Sequence, residues 1–214
     1  MTRATVYVVD DDRYVLASLE SLLASEGYDV ATFQSPQAFL DAEKPERPSC
    51  LVLDVRLRGA SGLEFQRELR RRQITTPVIF ITGHGDVPMS VAAMKAGAIE
   101  FLMKPFRDQD LLDAVHQGIE IDRARRDKDA TMADLRQRYS AMTPREREIL
   151  PLVASGQMNK QIAFGLNLSE VTVKVHRAQI MQKLKARSLI ELVRIADRLA
   201  EDRGRDGTPG TAKA

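Results

Sequence analysis

Cysteine, long apolar runs and net charge are all scarce in this 214-residue chain. The one cysteine, Cys50, excludes a disulfide framework and fits a reducing compartment. No apolar run approaches the ~18 residues that a membrane span requires, so no membrane partner is expected. The amino terminus, Met1 to Thr5, leads into an apolar stretch that stops at Asp10, too short for a secretory signal. A soluble, cytoplasmic protein is expected. The net charge is only +2, but it is unevenly spread. Residues 1–118 carry 13 Lys+Arg against 17 Asp+Glu, whereas residues 143–214 carry 13 against 8. An acidic front and a basic back suggest two domains, the second facing a polyanion.

What the chain does have is 43% hydrophobic residues, enough for real cores. They are arranged around Cys50-Leu-Val-Leu-Asp54, a strand buried on both faces that ends in a carboxylate. Gly59, Ser61 and Gly62 after it have loop chemistry. Four further short β-rich runs, at 6–9, 30–33, 77–82 and 101–104, alternate with helical patterns. Leu16, Leu19, Leu22 and Leu23 recur at helical spacing, and Ser35-Pro36 supplies a cap and a first-turn proline. Five such units predict a doubly wound parallel five-stranded α/β domain over residues 5–118.

Ligand-binding groups collect at the carboxyl ends of parallel strands. Here those ends carry Asp10 and Asp11, Asp54, Thr82 and Lys104. Three gathered carboxylates repel one another unless a divalent cation neutralises them. Oxygen ligands with no nearby histidine or cysteine point to Mg²⁺ rather than zinc. A carboxylate beside Mg²⁺, a lysine and a hydroxyl can accept a phosphoryl group, as in aspartyl-phosphate chemistry.

Val8-Val-Asp-Asp11, the Asp54 strand with Ser61-Gly62, Ile81 to Asp86, and Lys104-Pro105-Phe106 resemble a bacterial response-regulator receiver, flavodoxin-like in fold. The run from Thr82 to Met89 and Met94 to Ala98 is similar to the FixJ-type subgroup of the NarL/FixJ family. The resemblance implies that Asp54 is the phosphoacceptor for a sensor histidine kinase. It also implies Mg²⁺ held by Asp11, Asp54 and the main-chain carbonyl of Arg56, with Asp10 assisting through water. Thr82 and Phe101 would be the switch pair, and Asp12 a surface residue. Phe101 stands where many receivers have tyrosine, and Arg58 where the family often has proline. His84 reads as loop structure near the site and His116 as surface.

Residues 119–142 lack glycine and proline and have sparse apolar positions at Met132, Leu135, Tyr139 and Met142. They read as a solvated helical linker continuing the preceding helix, with a short coiled-coil seam as the alternative. Thr143-Pro144 then caps a new helix. Short helices at 159–165 and from Ser169 onward, the latter cationic, suggest a helix-turn-helix within an all-α, four-helix domain over 143–200. On a helical wheel, Val173, Ile180 and Leu184 face inward, flanked by His176 and Arg177, with His176 a hydrogen-bonded structural residue. Val171, Lys174, Val175, Ala178, Gln179 and Gln182 face outward. Val175 and Ala178 suit thymine methyls and Gln179 an adenine edge, while Lys160, Thr172 and Lys183 are assigned to phosphates.

Thr143 to Ile149, Asn159 to Ala163, Thr172 to His176 and Lys183-Leu184 resemble the LuxR-type DNA-binding domain. The resemblance implies bases contacted by Lys174, Val175 and Ala178, and a fourth helix, 188–200, that commonly dimerises. Residues 201–214 are expected to be a disordered tail. The combined expectation is a transcription regulator that dimerises on phosphorylation through Val91 and Lys95 and binds double-stranded promoter DNA. RNA polymerase is a further partner this reading admits. Two rivals are an aspartyl-phosphate phosphatase and a protein-docking module. The first is disfavoured because Asp54 is followed by Val55-Arg56 and no second acid. A DNA binder indifferent to phosphate also fits the sequence.

Overall fold

Alternation within the strands divides the apolar side chains of the first unit into two layers. In the computed structural model, which describes residues 3–83, 85 and 87–206, β1 (Thr5–Val9) sends Val6 and Val8 to one face and Tyr7 and Val9 to the other. The remaining strands of this sheet are β2 (Asp29–Phe33), β3 (Ser49–Asp54), β6 (Val78–Thr82) and β7 (Glu100–Met103). They pair in the order β2-β1-β3-β6-β7, with every pair parallel. Helix α1 (Arg13–Ser25) and the front of α5 (Asp108–Ser140) bury Leu16, Leu19, Leu23, Leu111, Val115 and Ile119 against the Val6 face. The other face is covered by α2 (Pro36–Asp41), α3 (Gly62–Arg71) and α4 (Val87–Lys95), through Phe39, Phe65, Leu69 and Ala93. Because β3 is buried on both faces, it reads as an unbroken apolar run.

One element was not expected. Between β3 and α3, where the sequence reads as loop, Arg56–Leu57 (β4) and Ala60–Ser61 (β5) form a two-stranded antiparallel hairpin. Its two-residue turn is Arg58-Gly59, and Gly59 takes φ +75°, a conformation that favours glycine.

The chain divides into two units at Asp127/Lys128. The second is helical, built from α6 (Pro144–Ala154), α7 (Asn159–Leu166), α8 (Glu170–Lys183) and α9 (Leu189–Asp206) with the end of α5. Ile149, Leu150, Val153, Ile162, Val173, Ile180, Leu184, Leu192 and Leu199 form its core. Thr143 and Glu146 make a reciprocal capping box at the start of α6. Asn167, left-handed at φ 53°, ends α7 and turns the chain toward Ser169, whose hydroxyl accepts from Thr172 N to start α8.

Two sequence expectations need correction. Residues 119–140 continue α5 without a break, as expected, but the stretch 119–142 is not solvated throughout and is shared between the two units. Ile119 and Asp122 are buried in the first unit, whereas Leu135 and Met142 are buried in the second. The positions considered for a coiled-coil seam therefore pack into the second unit's own core. The disordered tail cannot begin at 201, because α9 continues to Asp206. An ion pair from Arg136 Nη2 to Asp202 Oδ1, at 2.5 Å, holds that extension to the end of α5. The rest of the expected tail, 207–214, lies outside the described residues. Among the described residues no helix is long and apolar enough to cross a membrane.

Candidate functional site: an acid pocket and a basic helix

The strand register brings the candidate acids together. Val9 is level with Leu53, and Asp54 with Ile81. The residues ending β1, β3 and β6 thus emerge on one rim, with Lys104 just beyond β7. Asp10, Asp11 and Asp54 each present a carboxylate oxygen, and these oxygens lie within 4.8 Å of one another. Lys104 Nζ bonds Asp10 Oδ2 at 2.7 Å and Asp54 Oδ2 at 3.1 Å. Arg56 N donates to Asp54 Oδ1 at 3.0 Å. Asp10 Oδ1 accepts from Asp12 N at 2.8 Å, and Asp12 caps α1 by accepting from Tyr14 N. That cap is a structural role for Asp12 that sequence reasoning missed, although an Asp before a helical run is its usual signal.

Burial pushes Asp10 above the ordinary carboxylate range, although Lys104 pulls the other way. Burial also opposes the charge on Lys104, but Asp10 and Asp54 outweigh it and hold its pKa above the ordinary lysine value. The acids, Lys104, Arg56 and Arg58 line an open cavity of about 790 Å³. A hard divalent cation suits this oxygen donor set. Thr82, the last residue of β6, is fully buried next to Gly83, which lines the cavity. A Cβ on Gly85 would lie 2.9 Å from the Phe101 ring and 3.1 Å from Thr82 Cγ2, so Thr82 and Phe101 crowd the same glycine. The Phe101 ring is half-buried and packs on Phe80 with centroids 6.4 Å apart. Gly62 is required for space: a Cβ there would collide with the main-chain oxygen of Asp54. On α4, Val91 and Lys95 are exposed. His84 lies outside the described residues, and His116 is exposed.

The second unit presents the face expected of α8. Val173, Ile180 and Leu184 are fully buried, while Val171, Lys174, Val175, Ala178, Gln179 and Gln182 are exposed. Lys160 on α7 is exposed, and Thr172 is half-buried beside the Ser169 hydroxyl at 2.8 Å. Arg177 ties α8 to the start of α7 through Asn159 Oδ1 at 3.0 Å and Gln157 O at 3.3 Å. Two residues depart from expectation. Lys183, assigned to a phosphate, is paired with the buried Glu146 carboxylate at 2.7 Å and only one-third exposed, so its charge is largely offset within the fold. His176 is half-buried as expected of a structural residue, but its Nδ1 is buried with no hydrogen-bond partner among the described residues.

A parallel sheet carrying an acid pocket at its carboxyl rim and a helical unit with an exposed cationic helix define a class: signal receivers joined to DNA-binding domains. Residues 6–116 match the response regulator receiver domain, and residues 140–196 match the bacterial regulatory proteins of the luxR family. The chain is 51% identical to Nodulation protein W of Bradyrhizobium diazoefficiens over 92% of this chain and 87% of that protein. It is 45% identical to the transcriptional regulatory protein FixJ of Rhizobium meliloti over 92% and 96%, respectively. Among solved structures, the response regulator StyR superposes with a TM-score of 0.84 at 50% identity, covering 92% of this chain and all of that one. The chain belongs to the response-regulator family, with a receiver domain and a luxR-type DNA-binding domain. It is a two-component regulator of transcription rather than an enzyme.

Proposed function

We propose that Asp54 accepts a phosphoryl group from the histidine of a sensor kinase, and that this modification promotes dimerisation and promoter binding. The observation that carries the reading is the convergence of Asp10, Asp11, Asp54 and Lys104 at the carboxyl rim of one sheet. Asp11, Asp54 and the Arg56 carbonyl would hold Mg²⁺, with Asp10 assisting through water. When bound, Mg²⁺ supplies positive charge against the phosphoryl oxygens. Asp54 is the nucleophile, and Lys104 offsets charge on the incoming group. The buried Thr82 hydroxyl turns toward the phosphoryl group and Phe101 follows inward, which alters the α4 surface around Val91 and Lys95. A few kcal/mol of differential stabilisation suffices for such a population shift. Phe101 contributes packing only, because it has no hydroxyl to hydrogen-bond.

In the dimer, two copies of α8 enter successive major grooves about one turn apart. Lys174, Val175, Ala178 and Gln179 read base edges, and Lys160 and Thr172 grip phosphates. Lys183 is left out of this set because Glu146 holds it. A DNA-bound regulator of this kind works in the cytoplasm, with RNA polymerase as a further partner.

Wild type and Asp54→Asn, incubated with acetyl phosphate and Mg²⁺, are to be compared by size-exclusion light scattering. Dimerisation of wild type alone, abolished by EDTA, is the expected result. Equal behaviour of the two proteins would leave a DNA binder whose receiver is not switched by phosphate. Electrophoretic shift of promoter fragments across a salt series separates DNA binding from a protein-docking role.

A further inference from the structure

The acid pocket has a cation of its own that the phosphoryl-transfer chemistry does not use. Lys104 pairs with Asp10 and Asp54. Asp11 is served by a different residue: Arg58 Nε lies 2.8 Å from Asp11 Oδ2. Arg58 stands at the turn of the β4–β5 hairpin, followed by Gly59 in the left-handed region. The hairpin is tied at its base by Gly62 N donating to Val55 O at 2.9 Å, while Val55 N donates to Ile81 O on the neighbouring strand β6. This short, anchored element carries the guanidinium back over the pocket. The Arg58 side chain is 89% exposed, whereas that of Asp11 is 24% exposed. The arginine thus meets the acid at the open, solvent-facing edge of the pocket that both residues line.

The geometry points to Arg58 as a resident counter-ion for Asp11 that must be displaced before a divalent cation can bind. The inference rests on the reading of this pocket as a divalent-cation site. Three carboxylates attract a dication most strongly when unneutralised. Lys104 leaves them with two net negative charges, and Arg58 lowers that to one. Binding of the ion through Asp11 exchanges one cation for another, so part of the metal's attraction is used to release Arg58. An exposed pair held by one nitrogen is weak, so the effect is modest: removing Arg58 should tighten metal binding about two- to five-fold. An arginine cannot lose its proton to leave, so it gives way only to a competing cation, and the exchange follows metal concentration. The pocket thereby loads at a cation concentration about two- to five-fold higher than it would without Arg58.

Mn²⁺, countable as the free ion by electron paramagnetic resonance, serves as the probe with the full chain. Arg58→Gln removes the charge and keeps a polar, though shorter, side chain. Arg58→Lys keeps the charge, and Asp11→Asn removes the acid. The expected result is tighter Mn²⁺ binding by Arg58→Gln than by wild type, about two- to five-fold, with Arg58→Lys close to wild type. The midpoint of thermal unfolding should rise more on adding Mg²⁺ to Arg58→Gln than to wild type, because the ligand stabilises by mass action. Equal Mn²⁺ affinities in wild type and Arg58→Gln, with Asp11→Asn weakened, would overturn the role of Arg58 and leave the metal site standing. Absence of binding to wild type and Arg58→Gln alike, or binding indifferent to Asp11→Asn, would overturn the metal site itself and Arg58 with it.

Discussion

Glu146 Oε2 holds Lys183 Nζ at 2.7 Å across 37 residues of sequence, joining the start of α6 to the end of α8. The same carboxylate accepts from Thr143 N at 2.7 Å, so one buried acid both closes a capping box and receives an ion pair. Burial pushes Glu146 up, but Lys183 and the Thr143 groups outweigh it and hold its pKa below the ordinary glutamate value of 4.5. A depressed carboxyl pKa contributes stability that is complete above the unfolded value and is lost as pH falls through the folded one. Lys183→Met should therefore lower the stability of the second unit by about 1–3 kcal/mol at pH 7, with the deficit shrinking toward pH 3. Urea unfolding followed by far-ultraviolet circular dichroism at the two pH values checks this.

Asp122 is the corresponding anchor of the first unit. It is fully buried, accepts from Ser49 N at 2.9 Å, and pairs with Arg125 at 2.5 Å and Arg126 at 2.7 Å. It ties α5 to the start of β3, the strand that ends in Asp54. Removing one partner of a buried charged cluster costs about 3–5 kcal/mol, less where the remaining charges reach water as these half-buried arginines do. Asp122→Ala should lower the unfolding midpoint of the receiver in urea, while Arg123→Ala, on the exposed side of the same turn, should leave it nearly unchanged.

Gly62→Ala should damage the pocket from behind. The new methyl would meet the Asp54 main-chain oxygen and lie 3.0 Å from Val55 Cα, and neither atom can swing aside as a side-chain tip could. Overpacking of this kind costs about 1–3 kcal/mol, and here the strain falls on the backbone of Asp54, the proposed phosphoacceptor. Slower labelling by acetyl phosphate in a chain that still folds is the expected outcome, read by mass spectrometry.

Cys50 should be silent toward thiol reagents in the folded protein. Its side chain is fully buried in β3, and burial pushes the thiol far above the ordinary cysteine value. The thiolate is the reactive species, so labelling by Ellman's reagent should appear only on unfolding.

On the DNA side, Lys160→Ala and Gln179→Ala should fail differently. Loss of a phosphate contact should weaken binding to all sequences alike and reduce the salt slope by about one. Loss of a base contact should cost about 1–3 kcal/mol at one position of the operator and relax specificity there. Fluorescence anisotropy with single-base operator variants across a salt series distinguishes the two.

Much of this protein follows from local pattern. Short unbroken apolar runs determined the five-stranded sheet, and period-3.6 spacing its flanking helices and the buried face of α8, because burial on both faces leaves a run and burial of one face leaves its period. Strand-end position determined that Asp10, Asp11, Asp54, Thr82 and Lys104 would converge, since parallel strands in register bring their carboxyl ends to one rim. Other features depend on which distant residues meet, and composition carries no record of that. Nothing near Lys183 announces Glu146, so a cation that looked free for phosphate was already paired. Asp122 looked like one charge of a solvated helix until the fold set it beneath Ser49. Arg58 looked like an irregular loop residue. Only the hairpin, a pairing of four residues too short to show a period, turned it back onto Asp11.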